Sequence, residues 1–326
     1  MNIFRKLGAR AALLKGGHLP ALAEANQRAL EGRPCLAPDW KPRAVGVHHK
    51  VYEQARAAFP YFGEVLADVT GAPPVRMLHH DDDMVAAVCF LFGRDSYEPL
   101  SLHLFARLSA GTDGAVLDIG AFTGLFGLVA AGAAPEAVVI SFEPAPHIAA
   151  RAALNGRLNG YDNYRVEAAA VSDITGRRAL TYYGGTSATT GASLAPKSRD
   201  AVGEEEVEVT TIDTSAAMLD RPVMLIKLDT EGDEMAALAG GAEILRRDRP
   251  VVLSEVLNDA AVAGQCGAMA DHGYSAVFID DAARRLIPVD AAFSLKGRGF
   301  GNLLFTPDEA VQARASSIAE AFRQIV

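Results

Sequence analysis

The sequence predicts an α/β protein: a mostly parallel, seven-stranded sheet with helices on both faces, preceded by a helical extension. Three observations carry this. From about Ser96 onward, short wholly apolar segments alternate with helix-length amphipathic ones, the pattern of a parallel sheet buried on both sides. The first of these segments, "AVLDIG", runs into a glycine-punctuated turn, "GAFTGLFGL". The 326 residues are half hydrophobic, enough for a sizeable core.

The elements read in order. "EPLSLHLFARLSA" is a helix and "AVLDIG" a strand; "GLFGLVAAGAA" is a helix that stops near Pro135. "AVVISFEP" is a strand, and "PHIAARAALNGRLNGY" a helix with Pro146 suited to its first turn. "YRVEAAAVS" is a strand. "VMLIKLDTEG", "PVVLSEV", "SAVFID" and "FGNLLFTP" are strands, with "GDEMAALAGGAEILRRD" and "AVAGQCGAMADHGY" as helices between them. Residues 96–326 thus make one α/β domain. An insertion at about 177–212 reads as a polar hairpin, "RRALTYYGG" with "EEEVEVTTID", around a Gly/Ser/Thr-rich loop. That loop, Gly184 to Gly203, reads equally as a lid or as a surface excursion. Residues 1–95 favour helix broken by Gly and Pro, with "KVYEQARAAFPYFGEVLADVTGAPP" read as one or two amphipathic helices.

Composition bounds the partners. The 31 basic and 40 acidic side chains give a net charge of −9, which disfavours a nucleic-acid backbone. Cys35, Cys89 and Cys266 fit no metal spacing, and one would be left over from any disulfide, so reduced thiols in a cytoplasmic protein are expected. No apolar run approaches the roughly 20 residues of a transmembrane helix, and the "AALL" patch near the start is too short for a signal peptide. Arg5, Lys6, Arg10 and Lys15 with Phe4, Leu7, Leu13 and Leu14 hint at weak membrane affinity, although an ordinary solvated helix accounts for them. The extension is a candidate cap over a substrate or a contact in a homo-oligomer.

The turn after "AVLDIG" has the pattern G-x-x-x-G-x-x-G. In open parallel sheets the strand tips at the point of order reversal bind ligands. Gly120, Gly124 and Gly127 predict a ligand against the turn and the helix N-terminus that follows. The nicotinamide fingerprint G-x-G-x-x-G is not met, because Phe122 stands where its second glycine belongs. Asp118 would repel a pyrophosphate and suit a ligand with an ammonium or sulfonium charge, such as S-adenosylmethionine. Glu143 ends the second strand, where an acid accepts hydrogen bonds from a ribose 2′,3′-diol. Taken alone, Asp118 is also a turn-capping carboxylate and Glu143 a solvated strand end.

On these residues the chain resembles the FkbM-type class I S-adenosylmethionine-dependent methyltransferases, whose domain is Rossmann-like. The resemblance runs from about Tyr97 to Pro307. It lies in "AVLDIGAFTGLFGLVAA", "SFEPAPHIAARAALNGRLNG", "VEAAAVSDITG" and, most specifically, "IKLDTEGDEMAALAGGAEILRRDRPVVLSEV". It implies that Asp118, Gly120 and Phe122 line the methionine end, with Glu98 reaching the same part. Glu143 would take the ribose, Pro144 would pack near the adenine, and the third-strand tip, Ala170 to Asp173, would flank the adenine with Ser172 or Asp173 placed to meet its amino group. Phe122-Thr123 departs from the family, where Asn followed by a small residue is common.

Methyl transfer needs alignment and exclusion of water, and a base if the acceptor is a hydroxyl. "IKLDTEGDE" offers Lys227, Asp229 and Glu231, which share one side of the strand while it stays extended. Asp229 and Glu231, with Glu255 at the end of the next strand, are the candidate catalytic carboxylates. Oxygen ligation of a divalent metal is open to them, but no metal is assigned. A lysine at a strand end otherwise snorkels, and acids here also complement a helix N-terminus. "LHHDDD", with His79 and His80, matches no ligand spacing and reads as a solvated loop; His147 reads as surface and His272 as a helix end. The expected reaction is O-methylation of a small-molecule hydroxyl, on a sugar or secondary metabolite. A nicotinamide-dependent oxidoreductase and a non-catalytic S-adenosylmethionine-binding module are the alternatives.

Overall fold

The computed structural model describes residues 19–32, 54–80, 82–183, 192–194 and 201–325. The basic and apolar positions noted between Phe4 and Lys15, Cys35, and most of the Gly184–Gly203 loop lie outside these.

In chain order, α1 (Leu19–Gly32) precedes the antiparallel strands β1 (Phe62–Ala67) and β2 (Val75–His80). Then come α2 (Met84–Phe92), α3 (Pro99–Ser109), β3 (Ala115–Ile119), α4 (Leu125–Ala133), β4 (Val138–Phe142), α5 (Pro146–Asn159), β5 (Tyr164–Glu167) and β6 (Ala169–Val171). The inserted pair β7 (Gly176–Tyr183) and β8 (Ala201–Thr210) leads to α6 (Ile212–Ala216) and β9 (Val223–Leu228). The rest is α7 (Glu234–Ala239), α8 (Ala242–Arg247), β10 (Val251–Val256), α9 (Asp259–Asp271), β11 (Ser275–Asp280), β12 (Arg285–Pro288), β13 (Gly301–Thr306) and α10 (Glu309–Ile325).

The main sheet has eight strands, not seven, in the order β12-β11-β13-β10-β9-β3-β4-β5. Strands β5, β4, β3, β9 and β10 are mutually parallel, and β13 and β12 run antiparallel to their neighbours. The extra strand is β12, folded back on β11 through a turn in which Arg284 takes a left-handed φ of 51°. The chain leaves β3 for β4 and β5 on one side and returns to β9 on the other, so strand order reverses between β3 and β9.

Side chains of β3 alternate between two cores. Val116 joins Leu104 and Phe105 of α3, Leu128 of α4 and Phe322 of α10 on one face. Leu117 and Ile119 join Ile212, Leu238, Leu245 and Met269 of α6 to α9 on the other. Val65 and Val75 of β1 and β2 and Phe90 of α2 belong to the first core. "FGEVLA" is therefore a strand, not the helix its composition suggests: Pro60 ends the short helical turn at 54–58, and burial then alternates, Val65 and Ala67 in, Leu66 out. Two other segments divide. "YRVEAAAVS" splits into β5 and β6, which belong to different sheets. "EMAALAGGAEILRR" breaks at Gly240-Gly241, where a Cβ on Gly240 would lie 2.1 Å from the carbonyl oxygen of Ser172.

"HHDDD" is not a solvated loop. His79 and Asp83 are buried, Asp83 caps α2 by accepting from Ala86 N at 2.9 Å, and Asp82 accepts both Arg151 Nη atoms at 2.7 and 2.9 Å. These contacts tie α2 to α5 and fix it above the strand tips.

Candidate active site at the sheet switch point

A cavity of about 1120 Å³ lies over the carboxyl ends of the parallel strands. Gly120 shows why the turn below it needs glycine. Its φ is +78°, and a Cβ there would stand 1.7 Å from the carbonyl oxygen of Asp229, so β3 and β9 close on each other backbone to backbone. Phe122 follows in the left-handed region at 50°, and its ring packs at the edge of the apolar core.

Glu143 braces this turn. Its Oε2 accepts from Phe122 N at 3.0 Å and its Oε1 from Ala145 N at 2.9 Å. One carboxylate thus joins the glycine turn to the start of α5, and each oxygen keeps a lone pair free. Burial pushes the Glu143 carboxyl up to about 7, against the pull of the two N–H groups.

Asp118 behaves differently from the sequence reading. Its Oδ2 accepts from Gly127 N at 2.8 Å and Ser141 Oγ at 3.2 Å, turning the carboxyl back toward α4. Burial raises it to about 6. It borders a void of about 40 Å³ behind the turn, not the large cavity. Gly124 and Gly127 serve packing: a Cβ on Gly124 would meet the Tyr164 hydroxyl at 2.4 Å, and one on Gly127 the Ser141 hydroxyl at 2.3 Å. Of the third-strand tip, Ala170 and Val171 line the cavity, with Ala169 before them, while Ser172 and Asp173 stand off it.

The cavity does bring together Glu98, Gly120, Phe122, Glu143, Pro144 and, over the neighbouring strands, Asp229, Glu231 and Glu255. Strand β9 ends at Leu228, so the period-two argument holds for Lys227 and Asp229 but not for Glu231, which sits in the following turn with φ 59°. Ser193 Oγ donates to the Glu231 carbonyl at 3.1 Å.

Lys227 does not snorkel. It is 1% exposed, and its Nζ donates to Asp229 Oδ2 at 3.1 Å and Asn302 Oδ1 at 3.2 Å, with the Phe126 ring centroid 5.1 Å away. Asn302 in turn donates to Glu98 Oε2 at 2.8 Å and Ser101 Oγ at 3.0 Å. Burial opposes the lysine's charge, but Asp229, Glu98 and Glu255 outweigh it and raise its pKa. Burial also pushes Glu98 up to about 7, with Lys227 opposing. Glu255 is driven well above the usual carboxylate range by burial and then by Asp229, and its Oε2 is buried without a hydrogen-bond partner.

Residues 118–279, from the tip of β3 to β11, match the family model of the methyltransferase FkbM domain. The chain belongs to the FkbM methyltransferase family. Family and fold are those of S-adenosylmethionine-dependent methyltransferases. No curated protein sequence matches this chain. Among solved structures it is similar to methyltransferase FkbM from Methylobacillus flagellatus KT, with 14% identity, 61% of this chain and 44% of that chain covered, and a TM-score of 0.40. It thus spans less than half of that relative. It is also similar to an Agrobacterium tumefaciens SAM-dependent methyltransferase (14% identity, 76% and 71% covered, TM-score 0.39). A third likeness is to Aeropyrum pernix fibrillarin in complex with natively bound S-adenosyl-L-methionine (10% identity, 64% and 76% covered, TM-score 0.38).

In this chain the sequence reading missed Lys227 as a buried organiser and missed Asn302 and Asp281 altogether. Asp281 takes Leu100 N, Ser101 N and Ser101 Oγ at 2.7, 2.9 and 2.7 Å, capping α3 from across the sheet. A lysine inside an otherwise apolar strand, "VMLIKL", was the available signal for the first; nothing local marks the other two.

Proposed function

We propose that the chain transfers a methyl group from S-adenosylmethionine to a hydroxyl of a small-molecule acceptor. The observation that carries this is one large cavity over the strand tips with two chemically distinct sides, Glu143 and Pro144 on one and Glu255 on the other, with the Gly120 turn and Asp229 meeting between them. The residues fit the cofactor: close backbone at Gly120 gives a cradle, the free lone pairs of Glu143 suit a ribose diol, and the acidic floor suits a cation. Pro144, Ala170 and Val171 supply an apolar wall for the adenine. Asp118 acts at one remove by holding α4 against the turn.

S-adenosylmethionine supplies a methyl on a sulfonium, open to in-line displacement. Glu255 is the group suited to take the acceptor's proton: it lines the cavity, and its Oε2 is buried with no hydrogen-bond partner among the described residues, so it is placed to accept from a hydroxyl. Asp229, held by Lys227, and Glu231 orient the hydroxyl, and α2 with Met84, Val88 and Phe92 excludes water. Residues 1–95 contribute α2 and thereby cap the acceptor end. The free thiols of Cys89 and Cys266 agree with a cytoplasmic setting, and among the described residues no helix is long and apolar enough to cross a membrane.

The test is labelled methyl transfer to a panel of hydroxylated acceptors. Glu255→Gln should lower kcat by about 100-fold or more while S-adenosylhomocysteine affinity stays within about twofold of wild type. Label recovered on nitrogen, or full kcat in the variant, contradicts the reading.

A further inference from the structure

The acceptor end of the cavity contains a cation that no carboxylate among the described residues pairs. Arg298 lies in the loop between β12 and β13 and lines the cavity. The loop is built firmly. Asp259 Oδ1 accepts from Leu295 N at 2.7 Å and its Oδ2 from Ser294 Oγ at 2.9 Å; Leu295 is buried, and Arg298 N donates to the Leu295 carbonyl at 2.7 Å. The guanidinium carbon stands 5.9 Å from the ring centroids of both Phe278 and Phe293.

A guanidinium has five N–H donors. Here Nη1 donates to the Ser294 carbonyl at 3.3 Å, and Nε is buried with no acceptor. Among the described residues no carboxylate pairs with it. The two acids at the tip of β11 are committed: Asp281 to the N-terminus of α3, and Asp280 to Ala283 N at 2.9 Å and to Arg285 at 3.8 Å. A fixed planar fork flanked by rings and bordering a cavity is suited to a bidentate oxyanion. Lys296, exposed on the same loop, adds a second positive charge at the rim.

We propose that the methyl acceptor is an acid, held by its carboxylate on Arg298 with Lys296 beside it. The proposal rests on the reading of this cavity end as the acceptor site. A carboxylate is favoured over a phosphate because Glu231, Glu255 and Asp280 line the same cavity, and a monoanion is repelled less than a dianion.

The experiment is a thermal-shift titration of the full chain, with and without saturating S-adenosylhomocysteine. The probes are benzoate, phenylacetate and 3-phenylpropionate, each against its primary amide, and phenyl phosphate. At least one acid should bind about tenfold more tightly than its amide. That preference should fall below about twofold in Arg298→Met and survive in part in Arg298→Lys. An unchanged S-adenosylhomocysteine shift in Arg298→Met shows the variant folded. Amides matching acids throughout, phenyl phosphate exceeding every carboxylate, or an acid preference that persists in Arg298→Met would each overturn the proposal. If S-adenosylhomocysteine binds neither protein, the cofactor reading fails, and the acid–amide comparison without it still decides this one.

Discussion

Lys227 keeps its charge in the interior because Asp229, Glu98 and Glu255 surround it and Asn302 completes its shell. Removing one partner of such a cluster leaves the others uncompensated, which typically costs about 3–5 kcal/mol. Lys227→Met should lose stability of that order at about pH 8. The deficit should shrink at low pH, where the stranded carboxyls take up protons. A urea midpoint unchanged at high pH contradicts this. Gly120→Ala should be worse tolerated than any change at the cavity rim. The new Cβ overlaps the Asp229 carbonyl and φ is positive, so the cost exceeds about 3 kcal/mol. Circular dichroism melts would show it. At this scale the sequence disclosed the chemistry better than the directions. Asp118, Glu143, Asp229 and Glu255 were all readable as strand-tip acids. Which way each carboxyl turns depends on partners far along the chain: Ser141 for Asp118, and Asn302 for Glu98 and Lys227.

The first core helix, α3, starts at Glu98 in a left-handed conformation with no side-chain cap of its own, and Pro99 opens its first turn. Its cap comes from Asp281, about 180 residues later. Asp281→Ala should therefore behave as the loss of an N-cap, costing about 1–2 kcal/mol by urea denaturation, and should raise KM by loosening Glu98 beside the cavity. A denaturation midpoint equal to wild type would remove Asp281 from this role. Elements with a strong period were legible: β3, β4, β9, β10, β11 and β13, the helices α4, α5 and α9, and Pro146 at the start of α5. Those that were not have physical reasons. Strand β12 is four residues long and half-exposed, so it carries no apolar run. Strand β1 is hidden among helix-favouring residues and declares itself only through its pairing with β2. The 17-residue α10, an amphipathic C-terminal helix, was passed over although Ala315, Ala319 and Phe322 mark its buried stripe.

Across the whole molecule, burial raises several carboxyls together: Asp83 and Asp118 to about 6, Glu98 and Glu143 to about 7. An unfolded chain carries them at ordinary values near 4. Between about pH 8 and 5 the folded chain binds protons that the unfolded chain does not, so the unliganded protein should become more stable as pH falls. Buried His79, pushed down to about 4, opposes this below about 6.5, where the unfolded histidine charges. A melting temperature that falls steadily from pH 8 to 6 would contradict the carboxyl account. The parallel sheet and its switch point were legible because every βα unit leaves the same signature. The cavity's closure by α2 was not, because it depends on Asp82 meeting Arg151 and on Asp83 capping the helix. The central claim is that Glu143 and the Gly120 turn hold the nucleoside of S-adenosylmethionine. Calorimetric titration with S-adenosylhomocysteine, on wild type and on Glu143→Ala, tests it most directly. The account predicts binding that weakens by about 10–100-fold in the variant and, in wild type, by about tenfold per pH unit below 7 as Glu143 protonates. Equal affinity for the two proteins, or no binding while a nicotinamide dinucleotide binds, would contradict it.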